Sequence, residues 1–88
     1  RAAIVDTRSW TKQQLEARGF AVLDSRSNFL FASTDRKDGG TLYKKLKKNG
    51  ILVRHFDAPR IANWLRITIG TPEQMQALVE TLDKILEE

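Results

Sequence analysis

Eighty-eight residues, 41% hydrophobic and 30% charged, make one globular domain with room for a single sheet and a few helices. No apolar run approaches the ~20 residues that cross a bilayer, nothing has the build of a secretory signal, and zero cysteines exclude disulfides and thiolate metal sites. One histidine with no acidic cluster beside it gives no metal site, a reducing cytoplasm is the natural setting, and a net charge of +4 leaves nucleic acid open without pointing to it.

The chain begins at Arg1, inside a stretch that already reads as helix, and so looks like a piece of a longer protein. Ala3 to Arg18 is expected to be helical, with Ile4, Trp10, Leu15 and Ala17 as its apolar points. Gly19 followed by Phe20 is the glycine-then-hydrophobic ending of a Schellman stop. So thin a stripe suits a helix that leans partly on a neighbour outside these residues. Phe20 to Leu23 is a short apolar run, and Asp24-Ser25-Arg26-Ser27 is turn chemistry. Asn28 to Ala32 alternates as a strand, with Phe29 and Phe31 expected on the core face and Asn28, Leu30 and Ala32 on the other. Ser33 to Gly40 is a polar loop, the segment expected to be most mobile.

Thr41 to Asn49 is expected to be a helix, with Leu42 and Leu46 one turn apart, Tyr43 beside them and Gly50 as its stop. Ile51 to Arg54 reads as a β-branched strand, Ile51 and Val53 on one face, Leu52 and Arg54 on the other. His55 to Asn63, with Pro59, is an irregular connection. From Trp64 to Gly70 the alternation returns: Leu65, Ile67 and Ile69 share a core face, Trp64, Arg66 and Thr68 the opposite one. Thr71, Pro72 and Gln74 supply an N-cap, a first helical residue and a capping-box partner. Met75, Leu78, Val79, Leu82, Ile85 and Leu86 then line one helical face. The order helix, strand, strand, helix, strand, strand, helix predicts an α+β two-layer sandwich, a small mostly antiparallel sheet with helices packed on one face.

Catalytic constellations are missing: there is no Ser-His-Asp order, no phosphate-cradling glycine loop and no convincing carboxylate pair. His55 stands alone and reads as a surface or loop residue. Lys44, Lys45, Lys47 and Lys48 surround Leu46 as the wet side of an amphipathic helix, and lysines are favoured near a helix C-terminus. A basic nucleic-acid-binding module would present aromatics on its central strands, and Phe29 and Phe31 fit the core better. Arg54 and Arg66 remain, each in a strand and each facing away from the apolar side. They are either two exposed arginines on an open face or a pair of anion clamps, since a guanidinium is a planar fork matched to carboxylate or phosphate. On neighbouring strands, both could reach one bifunctional anion.

Gly50-Ile51-Leu52-Val53-Arg54, then Leu65-Arg66-Ile67-Thr68-Ile69-Gly70-Thr71 and a Glu-bearing helix, resembles the C-terminal small domain of the histidinol-phosphate aminotransferase family. Leu15 to Phe20 and Ser25-Arg26-Ser27-Asn28-Phe29 are similar to the run that precedes these motifs in that family. The resemblance spans essentially residues 1–88 and implies a single small domain of a pyridoxal-phosphate enzyme of the aspartate aminotransferase fold. By it, Arg66 binds the substrate α-carboxylate, Arg54 the substrate phosphate, and Asn28 supports the site. It implies an amino-acid phosphate as substrate, a large domain supplying the catalytic lysine and the cofactor contacts, and a homodimer at full length. No catalytic residue, bound cofactor, metal, nucleic acid or membrane is expected for these 88 residues alone. An enzyme acting on another phosphate-bearing amino acid, such as a threonine-phosphate decarboxylase, is the nearest alternative, and a free-standing nucleic-acid-binding module the alternative of another class.

Overall fold

The computed structural model describes residues 2–24 and 27–88, with side chains from Asp6 onward. The side chain of Ile4 and the turn residues Ser25 and Arg26 lie outside them. The elements are α1 (Ala2–Ala17), β1 (Ala21–Asp24), β2 (Phe29–Ser33), α2 (Gly39–Lys48), β3 (Arg54–His55), β4 (Trp64–Thr68) and α3 (Pro72–Leu86). The four strands form one antiparallel sheet in the order β1-β2-β4-β3. One core unites Leu15 of α1, Leu42 and Leu46 of α2, and Met75, Leu78, Leu82 and Ile85 of α3 with Leu30, Ala32, Leu65 and Ile67 of the sheet. The fold is therefore the expected α+β two-layer sandwich, with the helices on one face.

Local chemistry sets the helix ends. Gly19 (φ 88°) and Gly50 (φ 80°) are the two left-handed glycines. After each stop the chain closes a Schellman pair: Gly19 N donates to Glu16 O and Phe20 N to Leu15 O, then Gly50 N to Lys47 O and Ile51 N to Leu46 O. At α3, Thr71 Oγ1 accepts from Gln74 N at 3.1 Å, while Thr71 N donates to Gln74 Oε1 at 2.9 Å, completing the capping box. α2 starts two residues before the expected Thr41, because Asp38 is its N-cap and accepts from Thr41 N at 2.9 Å. That backbone hydrogen bond, reinforced by the Thr41 hydroxyl, holds the Asp38 carboxyl below its ordinary range.

The structure corrects five sequence readings. Phe29 and Phe31 are only half-buried, whereas Leu30 and Ala32 are fully enclosed. The pairing Leu30↔Ile67 and Ala32↔Leu65 joins the smaller residues of β2 to the apolar face of β4, so the aromatics fall on the opposite side with Arg66. Within Ile51 to Arg54 only Arg54 pairs, joined by His55. Ile51 spends its N–H on the α2 stop, and Leu52 is left 75% exposed. In α1, Ala17 is exposed, and the buried face runs through Thr7, Thr11 and Leu15. Thr11 Oγ1 donates to Thr7 O at 2.7 Å, which lets a hydroxyl pass as a core residue. The polar 33–40 loop is pinned, since Asn63 Oδ1 accepts from Gly39 N at 2.7 Å and Asn63 Nδ2 donates to Thr34 O at 2.9 Å. Gly39 approaches so closely that a Cβ there would lie 2.8 Å from Ala62 O. Lastly, His55 is a half-buried strand residue.

Among the described residues, ion pairs tie the helical layer down, including Arg8 of α1 with Asp24 of β1 at 3.5 Å. Arg18 Nε meets Asp83 Oδ1 at 2.6 Å and Arg18 Nη2 meets Asp83 Oδ2 at 3.0 Å, a two-pronged bridge from the end of α1 to α3. Lys12 reaches Asp24 at the end of β1 at 2.6 Å, and Lys45 pairs with Glu88. Hydrogen bonds from Arg18 and Lys12 hold the Asp83 and Asp24 carboxyls below their ordinary range. Among the described residues no helix is long and apolar enough to cross a membrane.

Candidate functional site

The face of the sheet turned away from the helices carries the two candidate arginines. Arg54 and Arg66 are direct cross-strand partners, so their side chains leave the sheet on the same side. Like charges in register repel, and neither arginine is in a salt bridge among the described residues. An anion that takes both forks would offset this repulsion and gain from each.

Arg66 is half-buried, and its guanidinium carbon lies 4.2 Å from the centroid of the Phe29 ring. A cation over an aromatic face is held electrostatically by the ring quadrupole. Phe29 pairs with Thr68 in register and therefore stands two residues along β2, on the same face, from Phe31, the residue opposite Arg66. The Arg66 Nε is buried without a hydrogen-bond partner, an exceptional state for a charged donor. Arg54 is exposed, and its guanidinium carbon stands 5.8 Å from the Phe56 ring. A shallow apolar depression lined by Leu23, Phe31, Phe56, Ile61 and Trp64 adjoins Arg66. Cationic forks beside an apolar wall suit a small organic anion with an apolar body.

Asn28 sits at the margin, exposed, where it prolongs the β2–β4 ladder. Its carbonyl accepts from Ile69 N at 2.8 Å and its Nδ2 donates to Ile69 O at 3.4 Å. These bonds fix the exit of β4 toward Gly70 and the α3 cap. The structure thus brings Arg54 and Arg66 together and leaves Asn28 at the end of the same strand pair. The sequence reading missed Phe29, because a phenylalanine in a strand reads as core until the facing strand is known.

The lysines do not join this surface. Lys12, Lys44, Lys45, Lys47, Lys48 and Lys84 ride on the helices, in the other layer, and Lys37, in the 33–40 loop, donates to Glu88 O just past the end of α3. The basic side of α2 and the open aromatics therefore lie in different layers. No group of three or more His, Asp or Glu able to hold a metal ion occurs among the described residues.

A family model for aminotransferases of class I and II matches residues 1–82. A histidinol-phosphate aminotransferase 1 of Pseudomonas fluorescens is 48% identical over 84 residues, 96% of this chain and 24% of that protein. A histidinol-phosphate aminotransferase of Pseudomonas putida is 51% identical over 79 residues, 90% of this chain and 23% of that protein. The crystal structure of a histidinol-phosphate aminotransferase from Clostridium acetobutylicum shares the fold, with a TM-score of 0.83 at 20% identity over 98% of this chain and 27% of that one. The chain spans about a quarter of the length of the curated relatives it matches.

Proposed function

The chain belongs to the aminotransferase class I and II family, and from that premise we propose that it is the substrate-gripping small domain of a pyridoxal-phosphate-dependent histidinol-phosphate aminotransferase of histidine biosynthesis. The observation that carries the reading is the register pair Arg54↔Arg66 on an open face, with the Arg66 Nε buried and unbonded. In this reading Arg66 takes a substrate α-carboxylate and Arg54 the phosphate. Histidinol phosphate bears a phosphate ester where an amino acid bears its carboxylate. The two forks therefore divide the work between the amino-acid partner and the phosphorylated one. The parent is a cytoplasmic homodimer whose remaining three-quarters include a large domain facing this surface.

Pyridoxal phosphate, when bound, supplies the electron sink that amino transfer needs. The open face suits the substrate side of that chemistry: the cations it presents are Arg54 and Arg66, and six of the seven lysines ride on helices in the other layer. What these residues contribute is binding and orientation. Each fork holds the anionic end of one partner, Arg66 the carboxylate and Arg54 the phosphate ester, and so aims the amino-bearing carbon next to it, while the apolar wall beside Arg66 keeps water from one flank.

The test is steady-state kinetics of the full-length enzyme. Arg66→Ala should cost about a hundredfold or more in kcat/KM for every amino-acid substrate, the expected loss of a bidentate charged contact. Arg54→Ala should cost at least about tenfold more on phosphorylated substrates than on plain amino acids. Equal damage to both classes by Arg54→Ala would refute the division of labour.

A further inference from the structure

β3 is only two residues long, and it carries Arg54 at the edge of the sheet. Two register pairs to β4 are a slender hold for a side chain that must meet an anion at a fixed place. The other residue of β3 is His55, paired with Leu65. Successive strand residues point to opposite faces, so His55 turns toward the helices while Arg54 turns to the open side.

On the helix side His55 is gripped twice. Its ring stacks on Tyr43 of α2, with centroids 5.5 Å apart and planes 23° from parallel. Its Nε2 lies 2.8 Å from Ala62 O. A carbonyl only accepts, so Nε2 carries the proton and donates. That bond spans the whole connection between the two arginine strands and closes it into a ring. The end of this connection is fastened again by Asn63 to Gly39 and Thr34. Gly40, one turn before Tyr43 on α2, borders the imidazole: a Cβ there would meet the ring at 3.7 Å, an ordinary van der Waals contact.

We infer that His55 is the positioning residue for Arg54. By locking β3 to α2 and closing the 56–63 connection, it fixes where the Arg54 fork stands relative to that of Arg66. The inference rests on the proposed role of Arg54 in holding phosphate and adds a residue that touches no substrate.

The experiment is a double-mutant cycle in the full-length enzyme, with histidinol phosphate and a plain amino acid as probes. His55→Phe keeps a flat ring against Tyr43 and deletes the donor to Ala62 O. It should raise KM for histidinol phosphate about three- to tenfold more than KM for the plain amino acid, the range expected for one lost hydrogen bond. His55→Gln, whose amide can still donate, should recover most of that difference. In an Arg54→Ala background, His55→Phe should add nothing further to the phosphate-specific loss, because the group it positions is gone. If His55→Phe yields no folded enzyme, Tyr43→Leu, which removes the stack from the helix side, is read by the same ratio. Equal changes for both substrates, or full additivity with Arg54→Ala, would overturn the role of His55. Should Arg54→Ala itself show no preference for phosphorylated substrates, the functional reading fails first and this inference falls with it.

Discussion

The two faces of the β2–β4 ribbon are made by the same ten residues and behave as different materials. On one side Leu30, Ala32, Leu65 and Ile67 are enclosed by three helices. On the other, Phe29, Phe31, Trp64 and Arg66 stay half-buried, beside Leu23 at 56% and Ile61 at 42% exposure. The first side holds the domain together through area removed from water. The second keeps aromatic area and one unbonded charged donor in reserve. A single strand pair thus carries an enclosed face and an open one, and the period of two along each strand keeps them apart.

The sharpest way to break this contrast is to make the same substitution on both sides. Leu30→Ala should cost about 2–5 kcal/mol, a large-to-small change at a fully enclosed site. Leu23→Ala on the open side should stay within about 0.5 kcal/mol. Urea unfolding compares them directly, and equal losses would mean that the open face is a second core. A middle-sized effect is expected at the seat of Arg66. Phe29→Leu should raise KM for α-carboxylate substrates by about 0.5–2 kcal/mol equivalent, the strength of a cation over an aromatic ring. Phe29→Tyr should retain wild-type KM, and thermal unfolding should show both variants folded.

The smallest effect belongs to the helical layer. Asp83→Asn removes the partner of Arg18, and because Asp83 is 46% exposed the cost should be about 0.2–1 kcal/mol. Asp24, Asp38 and Asp83 all have folded pKa values below the ordinary carboxylate range. The stability they lend is complete above the unfolded value of about 4. It is lost as pH falls through that value toward the folded ones. Acid unfolding should therefore begin below about pH 4, with a shallower slope in Asp83→Asn. Unchanged slopes would show that the Arg18 bridge does not hold in solution.

What was legible in the sequence was whatever local chemistry decides. Gly19, Gly50 and the Thr71–Gln74 box ended or began helices where they were read, because a left-handed residue or a side-chain cap acts within one turn. The apolar stripe of α3 and the two faces of β4 were equally plain. β2 was not, since both its faces are apolar, and only the register with β4 decides which is enclosed. The α1 face escaped because two threonines carry it, one of them satisfied by a backbone carbonyl inside its own helix. Arg54 and Arg66 could be chosen as candidates from their strand positions. That they stand opposite each other depends on a pairing no single stretch encodes, and the same holds for the stack of His55 on Tyr43.

The sheet order β1-β2-β4-β3 also bears on how the domain is assembled. β1 and β2 are neighbours in the chain and can pair early, but β4 lies between β2 and β3 although it is the last strand to be made. Until Trp64 to Thr68 arrive, the inner edge of β2 has no partner and its Leu30 and Ala32 are uncovered. Such an edge is a template for wrong pairing, and closing a contact so distant in sequence is slow. The strand that brings Arg66 to Phe29 is the one that completes the sheet, so the Arg54–Arg66 pair exists only once β4 is in place between β2 and β3.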